Sequence, residues 1–186
     1  MHKDDKVELI EHIIGIELDM FERLRTDEPS LCKDKPEAFK AMRGMTHSVL
    51  SVKTLESYLE DLTKAKSEGR NLVAEKYARM DNQIPPLKAN PVIDDITKCE
   101  SRWMRELSQK FPHVFKGQLD DFENYLSSEL ETYSDKTLEF YFRDVSKAEE
   151  EKRNLAEERY NKLFQQIGYA SIAEADEKAK LQAPGK

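Results

Sequence analysis

Lys53–Tyr77, KTLESYLEDLTKAKSEGRNLVAEKY, returns 83 residues later as Lys136–Tyr160, KTLEFYFRDVSKAEEEKRNLAEERY. Without a gap, 14 of the 25 positions are identical: Lys53, Thr54, Leu55, Glu56, Tyr58, Asp61, Lys64, Ala65, Glu68, Arg70, Asn71, Leu72, Glu75 and Tyr77 each meet their like. Two unrelated charged helices would share roughly a handful by compositional bias, so the pattern predicts an internal duplication. Leu55, Leu59, Leu62 and Ala65 fall on Leu138, Phe142, Val145 and Ala148, which is one apolar helix face. Two copies are too few for a solenoid, for which about three are needed. The expected architecture is an all-α bundle of eight or nine helices, its two duplicated halves meeting along the repeated helices. Residues 1–81 form the first half, 82–91 a Pro-rich linker and 92–186 the second half.

Composition agrees with helices. In 186 residues there are six glycines, and 36% of positions are charged against 38% hydrophobic, a polar balance that still supplies a core. The formal charge of −7, with Lys and Arg interleaved among Glu and Asp, argues against a nucleic-acid footprint. No apolar run reaches the roughly 18 residues of a membrane span, and the first residues do not lead into a signal peptide. Cys32 and Cys99 do not correspond in the two halves and lack a CxxC partner, so reduced thiols in a cytoplasmic protein are expected.

Outward from the repeat, the spacing predicts helices over about Asp4–Arg25, Pro36–Ser48, Val52–Ser67, Leu72–Met80, Val92–Lys110, Gln118–Thr132, Ser134–Glu151, Asn154–Ile167 and Ser171–Leu181. Asp34 is the expected N-cap of the second helix. Gly15, inside the first, marks a close helix approach at a cost of about 1 kcal/mol relative to Ala. Gly69 offers a helix stop and Asn71 a fresh N-cap; Lys152 stands where Gly69 does, so the second copy needs no glycine and is expected to be kinked or nearly continuous there. Asn154 followed three residues later by Glu157 is a capping-box-like pattern that supports a restart. Met42 and Met45 are read as core.

Catalytic motifs are scarce. There is no P-loop, GxGxxG, HExxH or G-x-S-x-G, and none of the four histidines has Glu three residues before it, as a di-iron carboxylate bundle requires. No metal site and no cofactor is predicted. The ligand-binding candidates are the recurring polar residues Arg70, Arg153, Tyr58, Tyr141, Glu75, Glu158, Asn71, Asn154, Tyr77 and Tyr160. One account makes them turn chemistry: Asn caps, Arg bonds the last carbonyls, Glu offsets the dipole, and Tyr buries its ring with its hydroxyl wet. The other puts Arg70 and Glu75 in a cleft between the halves, Arg gripping a carboxylate or phosphate bidentately. Glu17 and Glu100 also correspond, and are read first as surface glutamates or partners of Arg70 and second as paired carboxylates that bind a cation or share a proton. Cys32, Asp34, Arg43 and His47 make a further cluster in the first half only, with Arg43 and His47 four apart on one helix face.

GRNLVAEKYARM at Gly69–Met80, SYLEDL at Ser57–Leu62, MR at Met42–Arg43, the Glu17–Met20–Phe21 pattern and TYSDKTLEFY at Thr132–Tyr141 resemble a bacterial family, domain of unknown function 4125. The resemblance covers most of the chain and implies a soluble bacterial protein with no assigned reaction. The chain departs from it at Cys32–Lys35, Gly44–Val49 and His113–Gln118. The functional reading is a non-catalytic binding or interaction module, taking a small anionic ligand between the halves or a protein partner. The alternative is an enzyme of unknown class using the Arg70, Glu75 and Tyr77 cluster. Neither nucleic acid nor membrane is an expected partner, and the repeated faces offer a homo-oligomer interface.

Overall fold

Apolar residues recur every three to four positions between caps and turns, and the chain answers with helices throughout. The computed structural model describes residues 3–24, 36–115 and 121–182, and among these there are nine helices and no strand. They are α1 (Lys3–Glu22), α2 (Pro36–Ser48), α3 (Val52–Ser67), α4 (Leu72–Met80), α5 (Pro91–Lys110), α6 (Phe122–Leu130), α7 (Asp135–Glu150), α8 (Leu155–Gln166) and α9 (Ile172–Gln182). No helix among the described residues is long and apolar enough to cross a membrane. Cys32 and Asp34 lie outside the described residues.

Helix α3 packs on α7, and the two ends of the pair are tied in the same way. Asp144 of α7 accepts from the Ser51 backbone N–H (2.8 Å) and the Thr54 hydroxyl (2.6 Å) at the start of α3. Asp61 of α3 accepts from the Ser134 N–H (2.9 Å) and the Thr137 hydroxyl (2.6 Å) at the start of α7. Each carboxylate thus satisfies orphan donors at the other helix's N-terminus, where negative charge is favoured. Around this pair, α1 packs on α2, α3 and α4, and α5 packs on α6, α7 and α8. The short helices cross over: α2 lies on α8, and α6 lies on α4. That exchange lets a side chain of α6 enter the interior of the first half.

Of the predicted apolar stripe, Leu55, Leu62, Ala65, Leu138, Val145 and Ala148 are buried. Leu59 is half-buried and packs against the core, whereas Phe142 is exposed, with Tyr141 beside it taking the inward face. Met42 also faces outward rather than into the core. Gly15 is not a point of close approach, since a Cβ there would meet nothing within 4 Å.

The α3–α4 and α7–α8 turns share one hydrogen-bond pattern. The Arg70 N–H reaches Ala65 O and the Arg153 N–H reaches Ala148 O, both at 2.8 Å, closing the ends of α3 and α7. Gly69 has φ 71° and Lys152 has φ 55°, so Lys152 takes the left-handed conformation and the second copy turns instead of running on. Asn71 and Asn154 cap the next helices through the N–H groups of Ala74 and Glu157. Their side-chain amides also donate to the carbonyls of Met20 and Trp103, which anchors the turns to α1 and α5.

Candidate functional site

Glu17 on α1 is fully buried, and the groups gathered on it are buried too. Arg43 of α2 donates through Nη2 to Glu17 Oε1 (2.5 Å) and through Nε to Oε2 (2.9 Å), a bidentate fork. The Tyr58 hydroxyl on α3 donates to Oε1 at 2.8 Å, and His47 Nε2 lies 3.0 Å from Oε2. Arg43 is shared. Its Nη2 also donates to Glu129 Oε1 (2.9 Å) and its Nη1 to Glu129 Oε2 (3.2 Å). Glu129, brought in by α6, accepts in addition from Lys76 of α4 (2.5 Å) and from the Tyr133 hydroxyl (2.9 Å). The result is an alternating chain, Glu17–Arg43–Glu129–Lys76, every member of which is buried.

Burying such charges is costly unless they are paired and hydrogen-bonded, and here they are. Burial alone would raise the Glu17 carboxyl, but Arg43 and His47 hold it down to about 2. Glu129, burdened by the same desolvation, is kept well below the usual carboxylate range by Arg43 and Lys76. Desolvation opposes the charge on Arg43, and Glu129 and Glu17 more than offset it, carrying its pKa well above the ordinary value. Lys76 is likewise raised, Glu129 outweighing burial. Tyr58 and Tyr133 are pushed far up by burial and by the neighbouring carboxylates, so both hydroxyls stay protonated and act as donors. Burial of the Tyr58 hydroxyl corrects the expectation of a wet one, because the carboxylate beside it replaces water.

A second, simpler centre lies in the other half. Glu100 of α5 is fully buried and takes Arg159 of α8 through Nη1 (2.8 Å) and Nη2 (2.5 Å), with the Tyr141 hydroxyl at 3.2 Å. Glu17 and Glu100 are therefore not surface glutamates, and Arg43 and Arg159, not Arg70, are their partners. Desolvation works against the charge on Arg159, while Glu100 drives its pKa up; burial and Glu100 do the same for the Tyr141 phenol, with Arg159 opposing.

The other recurring residues lie elsewhere. Arg70 forks onto Glu75 (2.9 and 2.7 Å) and Arg153 onto Glu158 (2.7 and 2.8 Å) at the two exposed turns. Surface pairs of this kind contribute roughly 0–1 kcal/mol. Tyr77 is partly exposed above Phe21, and the Tyr160 ring meets Phe115 edge-on at 4.8 Å. The ten candidates thus divide: Tyr58 and Tyr141 enter the two buried centres, while both Asn and both Arg–Glu pairs sit in turns. Sequence reasoning passed over Lys76, Glu129 and Tyr133. Lys76 and Arg159 correspond at the 83-residue offset, and a comparison by charge rather than identity finds them.

The first of these two centres opens on a cavity. A cleft of about 250 Å³ between α2, α4 and α6 has Glu17, Arg43, Lys76 and Glu129 at its charged end, with Phe39, Met42, Val73, Tyr77 and Tyr125 among its walls. The Lys76 ammonium sits 3.4 Å from the centre of the Tyr125 ring, a cation–π contact. No group of three or more His, Cys, Asp or Glu among the described residues is arranged to hold a metal ion.

An all-α bundle with a buried ion network beneath one cleft is the class defined by fold and site. Residues 7–177 match the family described as Protein of unknown function (DUF4125), and the chain belongs to it. No curated protein and no solved structure matches the chain.

Proposed function

We propose that the protein is a non-catalytic binding module whose small anionic ligand lies in the α2/α4/α6 cleft, where the two halves interlock. The observation that carries this reading is Lys76, buried yet lining the cleft, with Glu129 as its one hydrogen-bond acceptor among the described residues. Apolar walls with a few convergent polar groups are what small-molecule sites offer. The charge states support binding over acid–base catalysis. A general acid or base works best with a pKa near the working pH, whereas Glu17, Glu129, Arg43 and Lys76 are all displaced away from neutrality and locked to one another. The same proposal includes descent of both halves from one ancestral half; the equal lengths of α3 and α7 and their reciprocal Asp61 and Asp144 bonds support it.

Saturation-transfer NMR with a library of small organic acids tests the reading on the wild-type chain and on Val73→Trp, which fills the cleft. Binding that disappears in the folded Val73→Trp variant is the expected result. Binding that persists there unchanged, or no binding to the wild type, would refute it.

A further inference from the structure

The hydrogen-bond inventory of the cleft narrows the chemistry of its ligand. Both glutamates are saturated: Glu17 takes Arg43, Tyr58 and His47, and Glu129 takes Arg43, Lys76 and Tyr133. Arg43 spends four of its five N–H groups on them. What the cleft still offers is donor capacity. An ammonium carries three N–H groups; Lys76 commits one to Glu129 and sets its charge against the Tyr125 ring face, which leaves one for a ligand. The Tyr125 hydroxyl, on the same wall, has no hydrogen-bond partner among the described residues. A ligand must therefore present an acceptor, and an anionic acceptor makes the stronger bond to an ammonium.

We infer that the ligand is a small monocarboxylic acid, its carboxylate on the spare donors of Lys76 and Tyr125 and its hydrocarbon body against Phe39, Met42 and Val73. This rests on the binding-cleft reading above. A phosphate dianion carries a second charge that those few donors cannot compensate in a mostly apolar cleft beside Glu129. A cationic ligand would meet the Lys76 ammonium with both carboxylates already occupied. An alcohol accepts the same bonds without charge assistance and forgoes their extra strength. The volume of about 250 Å³ lies below the roughly 300–1,000 Å³ of drug-sized sites, which suits a body of one ring or a short chain.

Four probes of one size separate these cases: 3-phenylpropionate, 3-phenylpropanol, 3-phenylpropylamine and phenyl phosphate, titrated into the 15N-labelled chain and followed by amide shifts. The carboxylate is expected to bind about tenfold or more tighter than each of the others, with shifts on α2, α4 and α6. Tyr125→Phe, which keeps the ring over Lys76, is expected to weaken it several-fold, and Lys76→Gln to weaken it further. Equal or tighter binding of the alcohol, amine or phosphate in the cleft would overturn the carboxylate assignment and leave the binding cleft standing. Shifts from none of the four, or only outside the cleft, would overturn both. An unchanged affinity in Tyr125→Phe would remove Tyr125 from the site and overturn the assignment as stated.

Discussion

The first-half centre and the second-half centre share three positions at the 83-residue offset: Glu17 with Glu100, Tyr58 with Tyr141, and Lys76 with Arg159. They part at two others, where Arg43 and His47 stand opposite Leu126 and Leu130, both leucines buried. In the second half one arginine answers one glutamate, and the two leucines bring no charge. In the first half Arg43 adds a positive charge that Glu17 does not balance alone, because Lys76 lies nearby. Glu129 supplies the second negative charge, and it reaches the site only because α6 crosses onto α4. The shared positions pair a buried glutamate with a cation and a tyrosine, and the first centre, with Arg43 and Glu129 besides, lines a cleft. The lesson is that a buried charge must be balanced locally, so a change at one position draws a compensating residue from wherever the fold can bring one.

Removing Arg43 should separate the centres most sharply. Arg43→Leu copies the second half at one position but leaves Glu17 and Glu129 short of their shared partner, and should cost about 3–5 kcal/mol in urea unfolding. Arg43→Leu/His47→Leu/Lys76→Arg/Glu129→Thr copies all four positions, Thr46 being the counterpart of Glu129. It should recover most of that loss, since a well-packed apolar replacement of an ion network is often neutral or better. An Arg43→Leu variant within about 1 kcal/mol of wild type would break the comparison.

Acid should act next. The Glu17 carboxyl is depressed from 4.5 to about 2 in the folded chain, so its contribution is present above the unfolded value near 4.5 and is lost as pH falls through about 2. A shift of that size corresponds to about 3 kcal/mol, and Glu129, moved in the same direction, adds to it. The urea midpoint should therefore drop steeply over that window, and Glu17→Gln, already less stable, should drop less. Parallel acid profiles for wild type and Glu17→Gln would contradict the assignment.

The smallest effect concerns the turns. Lys152 holds φ 55° where Gly69 holds φ 71°, so Lys152→Gly should be neutral or stabilise by a few tenths of a kcal/mol, while Gly69→Ala should destabilise by about 1 kcal/mol. Equal effects of opposite expectation, read from thermal midpoints, would mean that the two turns are not alike.

Much of the fold was legible because its signals are local. The bounds of α2 and α4 follow from Pro36 and Asn71 at their starts, and that of α3 from Gly69 at its stop, each a short-range device. The Arg43–His47 pair could be read from helical spacing, and Glu17 with Glu100 from the offset, although their burial could not. Glu129 was beyond reach. It has no glutamate counterpart in the first half, lies 86 residues from Arg43, and matters only through the crossing of α6 over α4. Phe142 misled for the opposite reason, an apolar residue at the right period that faces out because Tyr141 takes the inward position.

The most direct measurement is a crystal structure of the chain grown with saturating 3-phenylpropionate. The account expects the acid beside Lys76 in the cleft between α2, α4 and α6, and nothing beside Glu100, Tyr141 and Arg159. Ligand at the second centre, or an empty cleft with the acid bound elsewhere, would contradict the claim that the cleft at the first centre is the binding site.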